Sequence, residues 1–361
     1  MTHDLSQLGW DEFLASAYRP LDRSDSLPAR VLRADRGVCT VLGAGGVLRA
    51  TPAGNVLLNA AGDPARLPCA GDWVVVRRWP DRRTTIECVL PRRTALIRRT
   101  ADKDSSGQVL AANMDTVAVV EPVHPAPDDS RVERLLALAW ESGAKPVLIL
   151  SKCDTAADSP AVARQMGALV GGTGFSAPSG GPGAGGGLAV PVLPVSVPLG
   201  LGLAELRELV APGRTLALLG RSGAGKSTLV NALAGAEVMA VQKIRRADGK
   251  GRHTTAYRSL VPVPGGGAVL DTPGIRGVGL LDTADGLDRA FPEIAELAAY
   301  CRFGDCRHGA EPGCAVQAAL RDGSLSPRRL ESWRKLRREV AVESARQAVR
   351  LASAGRPKRR S

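Results

Sequence analysis

Aromatic side chains, histidines and long apolar runs are all scarce in this sequence of 361 residues. Aromatic residues make up 3% of the chain, so we expect its hydrophobic cores to consist mainly of alanine, valine and leucine. No run approaches the roughly 18 consecutive apolar residues that indicate a membrane-spanning helix. The start of the chain, MTHDLSQLGW, lacks the basic and then apolar pattern of a secretory signal. These absences argue against a membrane or secreted protein and predict a cytoplasmic one.

Disulfide patterns and an excess of acidic charge are missing as well. The seven cysteines are an odd number, which does not suggest a disulfide framework. The formal net charge is +12, which favours an anionic partner larger than a nucleotide, nucleic acid above all. A generally arginine-rich composition without such a partner is the alternative.

Short strand-like segments separated by glycine and proline fill residues 29–98, after a polar extension at residues 1–28 with a predicted short helix at 10–18. Their spacing, without helical periodicity, predicts an OB-like five-stranded β-barrel. Arginines gather around this segment, which favours contact with a nucleic-acid backbone, and Trp73 and Trp79 are the only candidate stacking platforms. A solvated basic surface is the alternative.

Apolar runs alternate with helical patterns over residues 110–285, which predicts a parallel α/β sheet covered on both faces. Residues 100–110 are polar and are expected to be mobile. Much of the Gly-rich insert 155–187 is expected to be a flexible loop, because its composition cannot form a packed core. Residues 286–361 form the last predicted unit.

A phosphate-binding loop is predicted at residues 220–227, GRSGAGKS, which match G-x-x-x-x-G-K-S directly after an apolar run. The glycines let backbone N–H groups surround a diphosphate, Lys226 reaches the outer phosphates and Ser227 supplies a hydroxyl to Mg²⁺. The predicted binding residues here are Gly220, Arg221, Ser222, Gly223, Ala224, Gly225, Lys226, Ser227 and Thr228.

The tetrapeptide SKCD, Ser151, Lys152, Cys153 and Asp154, follows a predicted strand at the sheet edge where ligands bind. The Asp154 carboxylate can accept hydrogen bonds from the ring N–H and the exocyclic amine of guanine, a donor pair that adenine lacks. The Lys152 stem can cover the base plane. This motif therefore predicts GTP rather than ATP as the bound nucleotide.

Two further segments are predicted to face the outer phosphates. Asp271 ends a buried strand, where a carboxylate can hold the Mg²⁺ shell, and the backbone N–H of Gly274 can approach a γ-phosphate. Thr254 or Thr255 lies on a basic loop and can cover Mg²⁺ as a switch segment. Ser227, Thr255 and Asp271 are the predicted magnesium ligands.

Three of the cysteines lie close together with one of the four histidines, as Cys301, Cys306, His308 and Cys314. A Cys₃His set fills all four positions of a tetrahedral structural zinc site. Buried free cysteines near a chance histidine are the alternative. The following segment, 326–350, reads as a helix with a basic face that either contacts nucleic-acid phosphates or is solvated. The residues of that face are Arg328, Arg329, Arg334, Lys335, Arg337 and Arg338.

The motifs GRSGAGKS, GRHTT and DTPG, with GDW in the barrel and CRFGDCRH followed by EPGCAV, resemble the circularly permuted ribosome small-subunit-dependent GTPases over about residues 29–340. The resemblance implies a P-loop GTPase domain in which SKCD and a supporting Ser196 precede the phosphate loop. It further implies one structural Zn²⁺, Mg²⁺ with GTP, and a C-terminal zinc-binding helical module. The expected protein is a monomeric GTPase that binds the 30S subunit and its 16S rRNA. It is stimulated by the 30S subunit and couples hydrolysis to late subunit maturation and its own release.

The chain departs from common GTPase patterns at two positions near the nucleotide. Ser151 stands where many GTPases have asparagine, which shortens one guanine contact. Ile275 stands where several carry a water-orienting glutamine, so His253 is the candidate catalytic residue beside Lys226 and Gly274. The alternative is that His253 only orders its loop or contacts RNA. A P-loop ATPase or kinase, and an RNA-binding scaffold with a structural nucleotide, remain the rival functions.

Overall fold

The computed structural model describes residues 3–99, 107–171, 189–239, 259–271 and 284–354, and every structural statement below refers to these parts of the chain. None of their helices is both long and apolar enough to cross a membrane.

A closed five-stranded barrel forms near the N-terminus, as predicted. Strands β1, β2 and β3 are antiparallel neighbours, β4 pairs with β5, β3 pairs in parallel with β5, and β1 pairs with β4 to complete the closure. The alternating inward residues of these strands, half of them valine, form the barrel core. The strands are β1 (Ser26–Asp35), β2 (Val38–Gly43), β3 (Gly46–Pro52), β4 (Trp73–Arg78) and β5 (Thr84–Val89), and helix α2 (Gly54–Ala60) follows β3.

The N-terminal segment packs onto the barrel through helix α1 (Glu12–Tyr18). The Trp10 ring lies edge-on to the Trp73 ring, with 4.9 Å between their centroids. Trp73 is therefore a buried core residue and the prediction that it offers a stacking platform is wrong, because the strand alternation turns its side chain toward Trp10. Trp79 is half-buried, with the Arg77 guanidinium 3.9 Å from its ring centre.

Helices and parallel strands alternate in the central domain. The strand order β10–β9–β8–β11–β13–β12 is parallel except for β12, and β12 also pairs with barrel strand β1, which joins both domains in one sheet. The elements are β8 (Thr116–Pro122), α3 (Asp129–Glu141), β9 (Lys145–Ser151), α4 (Ser159–Leu169), β10 (Val192–Pro194), α5 (Leu203–Glu208), β11 (Thr215–Leu219), α6 (Lys226–Ala234), β12 (Ser259–Pro262) and β13 (Ala268–Asp271).

Two segments that were expected to lack regular structure contain a strand and a helix. Strand β7 (Gly107–Ala112) pairs with β6 (Ala95–Arg99), because the apolar residues of QVLAA are buried against the core. Helix α4 occupies the beginning of the segment predicted to be a Gly-rich insert, and its Met166 packs into the core beside β9. The loop prediction is wrong for these two stretches, while residues 172–188 lie outside the described part.

In the described residues, the C-terminal module has four helices around a core that also includes Ala137 of α3. That core includes Phe291, Ile294, Leu330 and Trp333 together with Cys306 and Cys314. The helices are α7 (Ala284–Ala290), α8 (Pro292–Ala298), α9 (Ala315–Arg321) and α10 (Pro327–Ala354), and the last confirms the predicted C-terminal helix.

Candidate nucleotide site and metal centre

The predicted phosphate loop connects β11 to α6 and depends on its glycines. Gly220 lies at φ 154°, and a Cβ on it would come within 2.3 Å of the Val120 carbonyl oxygen. Gly223 and Gly225 have φ values of 81° and 92°, a backbone conformation that other residues adopt at a cost. The sequence therefore folds this turn tightly against β8, with its backbone N–H groups near the start of α6.

Lys226 lies inside the loop, where its side chain is largely buried. Its Nζ donates hydrogen bonds to the Gly220 carbonyl at 2.8 Å and to the Arg221 carbonyl at 3.0 Å. Burial lowers the pKa of Lys226, and the negative charges of Asp271 and Glu121 oppose that shift. The ammonium group is thus held at the position where the motif requires a phosphate contact.

Asp271 ends β13, directly beside Leu218 of β11 in the parallel ladder. The side chain is buried, and its Oδ1 has no hydrogen-bond partner within the described chain. Burial raises the pKa of Asp271, and Lys226 opposes this shift. A buried carboxylate oxygen without a partner fits Mg²⁺, which takes oxygen ligands, and Ser227 at the start of α6 is half-buried near the same edge.

The base-recognition motif meets the phosphate loop at this edge of the sheet. Ser151 Oγ donates to the Ala224 carbonyl at 2.6 Å, and Lys152 Nζ donates to the Gly223 carbonyl at 2.7 Å. Two segments about seventy residues apart in sequence are therefore joined by side-chain hydrogen bonds.

Asp154 and its neighbours complete the arrangement. Ser196 Oγ donates to Asp154 Oδ1 at 2.6 Å, which orients the carboxylate and leaves its second oxygen for another donor. The Cys153 N–H donates to the Val195 carbonyl at 3.2 Å, and the buried Cys153 thiol packs in the core, where burial raises its pKa.

The other predicted site residues either have no informative contact or lie outside the described residues. Ser222 is exposed and Thr228 is half-buried on α6, while Arg221 Nε is buried without a hydrogen-bond partner in the described chain. His253, Thr254, Thr255, Gly274 and Ile275 lie outside the described residues.

Sequence reasoning missed Glu121, a fully buried carboxylate at the end of β8. Arg131 on α3 holds it in a bidentate ion pair, with N···O distances of 2.6 Å and 3.0 Å. Its charge opposes the effect of burial on the pKa of Lys226. The feature of the sequence that could have indicated Glu121 is an acidic residue directly after the apolar run TVAVV. An acidic residue at a strand end is usually taken to face solvent.

The four side chains of the Cys₃His cluster converge, with all ligand atoms within 4.8 Å of one another. The His308 Nδ1 lies 3.5 Å from Cys301 Sγ and 3.6 Å from Cys314 Sγ, and those two sulfurs are 3.8 Å apart. A tetrahedral zinc with Zn–S bonds of about 2.3 Å requires sulfurs about 3.8 Å apart, so the geometry fits this metal. The His308 carbonyl accepts a hydrogen bond from Gln317 Nε2 at 2.7 Å, which fixes the ligand loop.

Half of the predicted basic face of α10 has internal partners. Arg328 and Arg329 both pair with the buried Glu133 of α3, at 2.7 Å and 2.8 Å, and Arg334 donates to the His308 carbonyl. These three arginines therefore help to hold α10 in place, a role that the sequence analysis did not predict, and the RNA-binding face stays a prediction. The exposed basic residues of this face are Lys335, Arg337 and Arg338.

Comparisons with known proteins agree with this architecture. The family model of the RsgA GTPase matches residues 89–175 and 185–281. The chain is 50% identical over 335 residues to the small ribosomal subunit biogenesis GTPase RsgA of Streptomyces coelicolor, covering 93% of this chain and 86% of that protein. It is 41% identical to the protein of the same name from Opitutus terrae, covering 98% and 94% of the two chains.

Two solved structures have the same fold. The crystal structure of YjeQ from Thermotoga maritima aligns with a TM-score of 0.61 at 24% identity, covering 88% of this chain and 99% of that one. YloQ, described as a circularly permuted GTPase, aligns with a TM-score of 0.57 at 19% identity, covering 89% and 96%. The predicted fold class, a barrel, a permuted P-loop domain and a C-terminal Cys₃His module, is confirmed, and the chain belongs to the RsgA GTPase family and is a GTP hydrolase.

Proposed function

We propose that this GTPase acts in biogenesis of the small ribosomal subunit, where it binds the 30S particle and couples GTP hydrolysis to late maturation and to its own release. The names of its relatives, small ribosomal subunit biogenesis GTPases, support this process. The observation that supports the site assignment is the contact of Ser151 and Lys152 with the phosphate loop, because it joins the two segments that we propose bind the base and the phosphates of one nucleotide.

In this proposal the base is held by SKCD and the phosphates by the loop. Asp154, oriented by Ser196, accepts from guanine with its free oxygen, and the Lys152 stem covers the base. Lys226 and the loop N–H groups hold the β- and γ-phosphates. Ser227, Asp271 and Thr255 would hold Mg²⁺, which neutralises phosphate charge when bound.

Hydrolysis requires groups that this chain provides only in part. Lys226 stabilises charge that develops on the transferred phosphoryl group, and the Gly274 N–H contacts the γ-phosphate. His253 positions the attacking water, since Ile275 has no group that can. Because Ile275 replaces the water-orienting glutamine and part of the catalytic machinery is missing, we expect slow intrinsic turnover that the 30S subunit accelerates.

Exposed arginines and lysines supply the surface for a ribosomal RNA partner. Arg78 and Arg82 of the barrel, and Lys335 and Arg338 of α10, are exposed and form no ion pair with a carboxylate of the described residues. Such side chains would contact 16S rRNA phosphates with salt-dependent affinity. We place the protein in the cytoplasm, as a monomer on one subunit.

The test is GTP turnover measured with and without purified 30S subunits. Stimulation by 30S subunits, and its loss in Lys226→Ala together with nucleotide binding, would support the proposal. Equal competition by ATP would favour a general P-loop ATPase. RNA affinity that does not depend on GTP or GDP, with no turnover on ribosomal particles, would favour a scaffold with a structural nucleotide.

A further inference from the structure

The surface beside the Cys₃His cluster carries two exposed aromatic side chains. Tyr300 is 81% exposed and Phe303 is 42% exposed. In the described part of this aromatic-poor chain, only Phe13 is a comparably exposed ring. Leaving large apolar surface in water costs free energy, so two exposed rings within four residues indicate a surface that binds something.

The loop that carries Phe303 is fixed by the backbone as well as by the cluster. Cys301 and Cys306 enclose it, the Arg302 N–H donates to the Gly313 carbonyl at 3.1 Å, and the Cys306 N–H donates to the Phe303 carbonyl at 3.2 Å. Gly313 has a φ of 76°, and a Cβ there would lie 2.9 Å from Arg302 Cβ. The backbone that carries Phe303 is therefore held in place before any partner arrives, which lowers the ordering cost of binding.

Two arginines belong to the same segment as the rings. The Arg302 guanidinium lies 5.5 Å from the Phe303 ring centre, and both Arg302 and Arg307 are exposed. Neither forms an ion pair with a carboxylate in the described ranges. The nearby Glu311 carboxylate accepts instead from the backbone N–H groups of Arg307 at 3.0 Å and Gly309 at 2.6 Å.

We propose that Tyr300, Arg302, Phe303 and Arg307 form an aromatic platform that stacks an unpaired base of single-stranded RNA while its arginines contact the adjoining phosphates. Single-stranded RNA is recognised through unstacked bases that lie on aromatic rings and guanidinium planes. The two arginines, which form no ion pair, and the net charge of +12 favour RNA over an apolar protein segment, against the single exposed Asp305 between them in sequence. The platform rests on the proposed ribosomal function and names one contact within it.

The experiment uses the full chain with Tyr300→Leu and Phe303→Leu combined, which keeps apolar side chains but removes both rings. The probe is a short fluorescent single-stranded RNA of mixed sequence, with its duplex form as a comparison. We expect the affinity for the single strand to fall about 5- to 100-fold, and the duplex affinity to stay unchanged. Phe13→Leu is the matched control at an exposed ring elsewhere and should bind as the wild type does.

Zinc content and thermal unfolding establish that the variants are folded. If the double leucine variant loses zinc, Arg302→Gln keeps both rings and should lower the slope of log affinity against log salt by about 1. If the folded double variant binds the single strand with wild-type affinity, the platform proposal is wrong. If its affinity for 30S subunits falls at the same time, the two rings contact a protein rather than RNA. Failure of the wild-type protein to bind 30S subunits would instead contradict the proposed function.

Discussion

At the level of single residues, Ser151 shows how one hydroxyl can replace part of an asparagine. Its Oγ donates to the Ala224 carbonyl and so ties SKCD to the phosphate loop. One hydrogen bond contributes about 0.5–1.5 kcal/mol, so Ser151→Ala should weaken GTP binding about two- to tenfold. Ser151→Asn should keep this tie, reach the base and strengthen GTP binding. Nucleotide titration of both variants measures these changes in GTP affinity. Asp154→Asn is the comparison variant and should lose the preference for GTP over ATP. Weaker GTP binding by Ser151→Asn would contradict the prediction.

Asp271 makes stability depend on pH in the nucleotide-free protein. Burial raises the pKa of Asp271 above the ordinary 3.8, so the carboxyl group binds its proton more tightly in the folded state than in the unfolded state. Its contribution to stability is complete below pH 3.8 and is lost as the pH rises through the folded-state pKa. Asp271→Asn should lack this loss.

Denaturant unfolding at a series of pH values, without nucleotide or Mg²⁺, measures the difference between wild type and Asp271→Asn. The difference in unfolding free energy should change with pH in the direction just given, and saturating Mg²⁺ with GDP should suppress the change in the wild type. Parallel pH profiles under both conditions would show that the carboxylate is not the buried, unpaired group described.

Motifs with strict local geometry were predictable from the sequence, and charges with distant partners were not. The phosphate loop needs glycine where φ is positive, and the Cys₃His set needs its ligands close together, so residue type alone pointed to both. Arg328 and Arg329 look the same in sequence whether they face solvent or the buried Glu133. Only the packing of α3 against the C-terminal module decides between these outcomes.

At the level of elements, the attachment of α10 to α3 depends on the Glu133 cluster. Glu133 is almost fully buried and pairs with Arg328 and Arg329, while Ser332 Oγ also donates to it. Breaking a fully buried pair costs about 3–5 kcal/mol. Because the Arg328 side chain is 41% exposed and partly screened, we expect Glu133→Gln to cost about 2 kcal/mol.

Hydrogen exchange reports where that loss occurs. In Glu133→Gln, amides of α10 and α8 should exchange faster, while β8, β9 and β11 keep their protection. Glu331→Gln, an exposed change on α10, is the control and should stay within about 0.5 kcal/mol of the wild type. Uniformly faster exchange across the central sheet would show that the cluster supports the whole protein rather than the C-terminal module.

The elements themselves were predicted unevenly, and the reason is burial. Continuous apolar runs such as those of β8, β9 and β11 indicated buried parallel strands, and the structure has them. Strand β7 was missed because its polar preceding residues suggested a loop, and α4 because its helical pattern adjoins the Gly-rich insert. In both cases a few buried side chains outweighed the local composition.

At the scale of the whole molecule, Arg30 holds three parts of the chain together. Its guanidinium is buried and donates to the carbonyls of Leu8 in the N-terminal segment, Gly71 in the barrel at 3.3 Å and Asn113 before β8 at 3.0 Å. Burial lowers the pKa of Arg30 to about 10. No carboxylate of the described residues forms an ion pair with it. The three carbonyls, the nearby charges of Asp115 and Asp72 and the Trp73 ring, 5.5 Å from the guanidinium carbon, compensate the buried charge.

This junction should make the barrel and the GTPase domain unfold as one unit. Arg30→Met keeps most of the side-chain volume but removes the donor of the Leu8 and Asn113 carbonyls, at about 1–3 kcal/mol for each such group, while the Gly71 carbonyl still accepts from Asn113 Nδ2 at 3.2 Å. We expect a loss of about 3 kcal/mol or more in unfolding free energy and two separated transitions in calorimetry, with the barrel melting first. Arg49→Met, an exposed change in the same barrel, should retain the single transition. If Arg30→Met unfolds in a single transition, whether or not its transition temperature falls, the pairing of β1 with β12 suffices to couple the two domains.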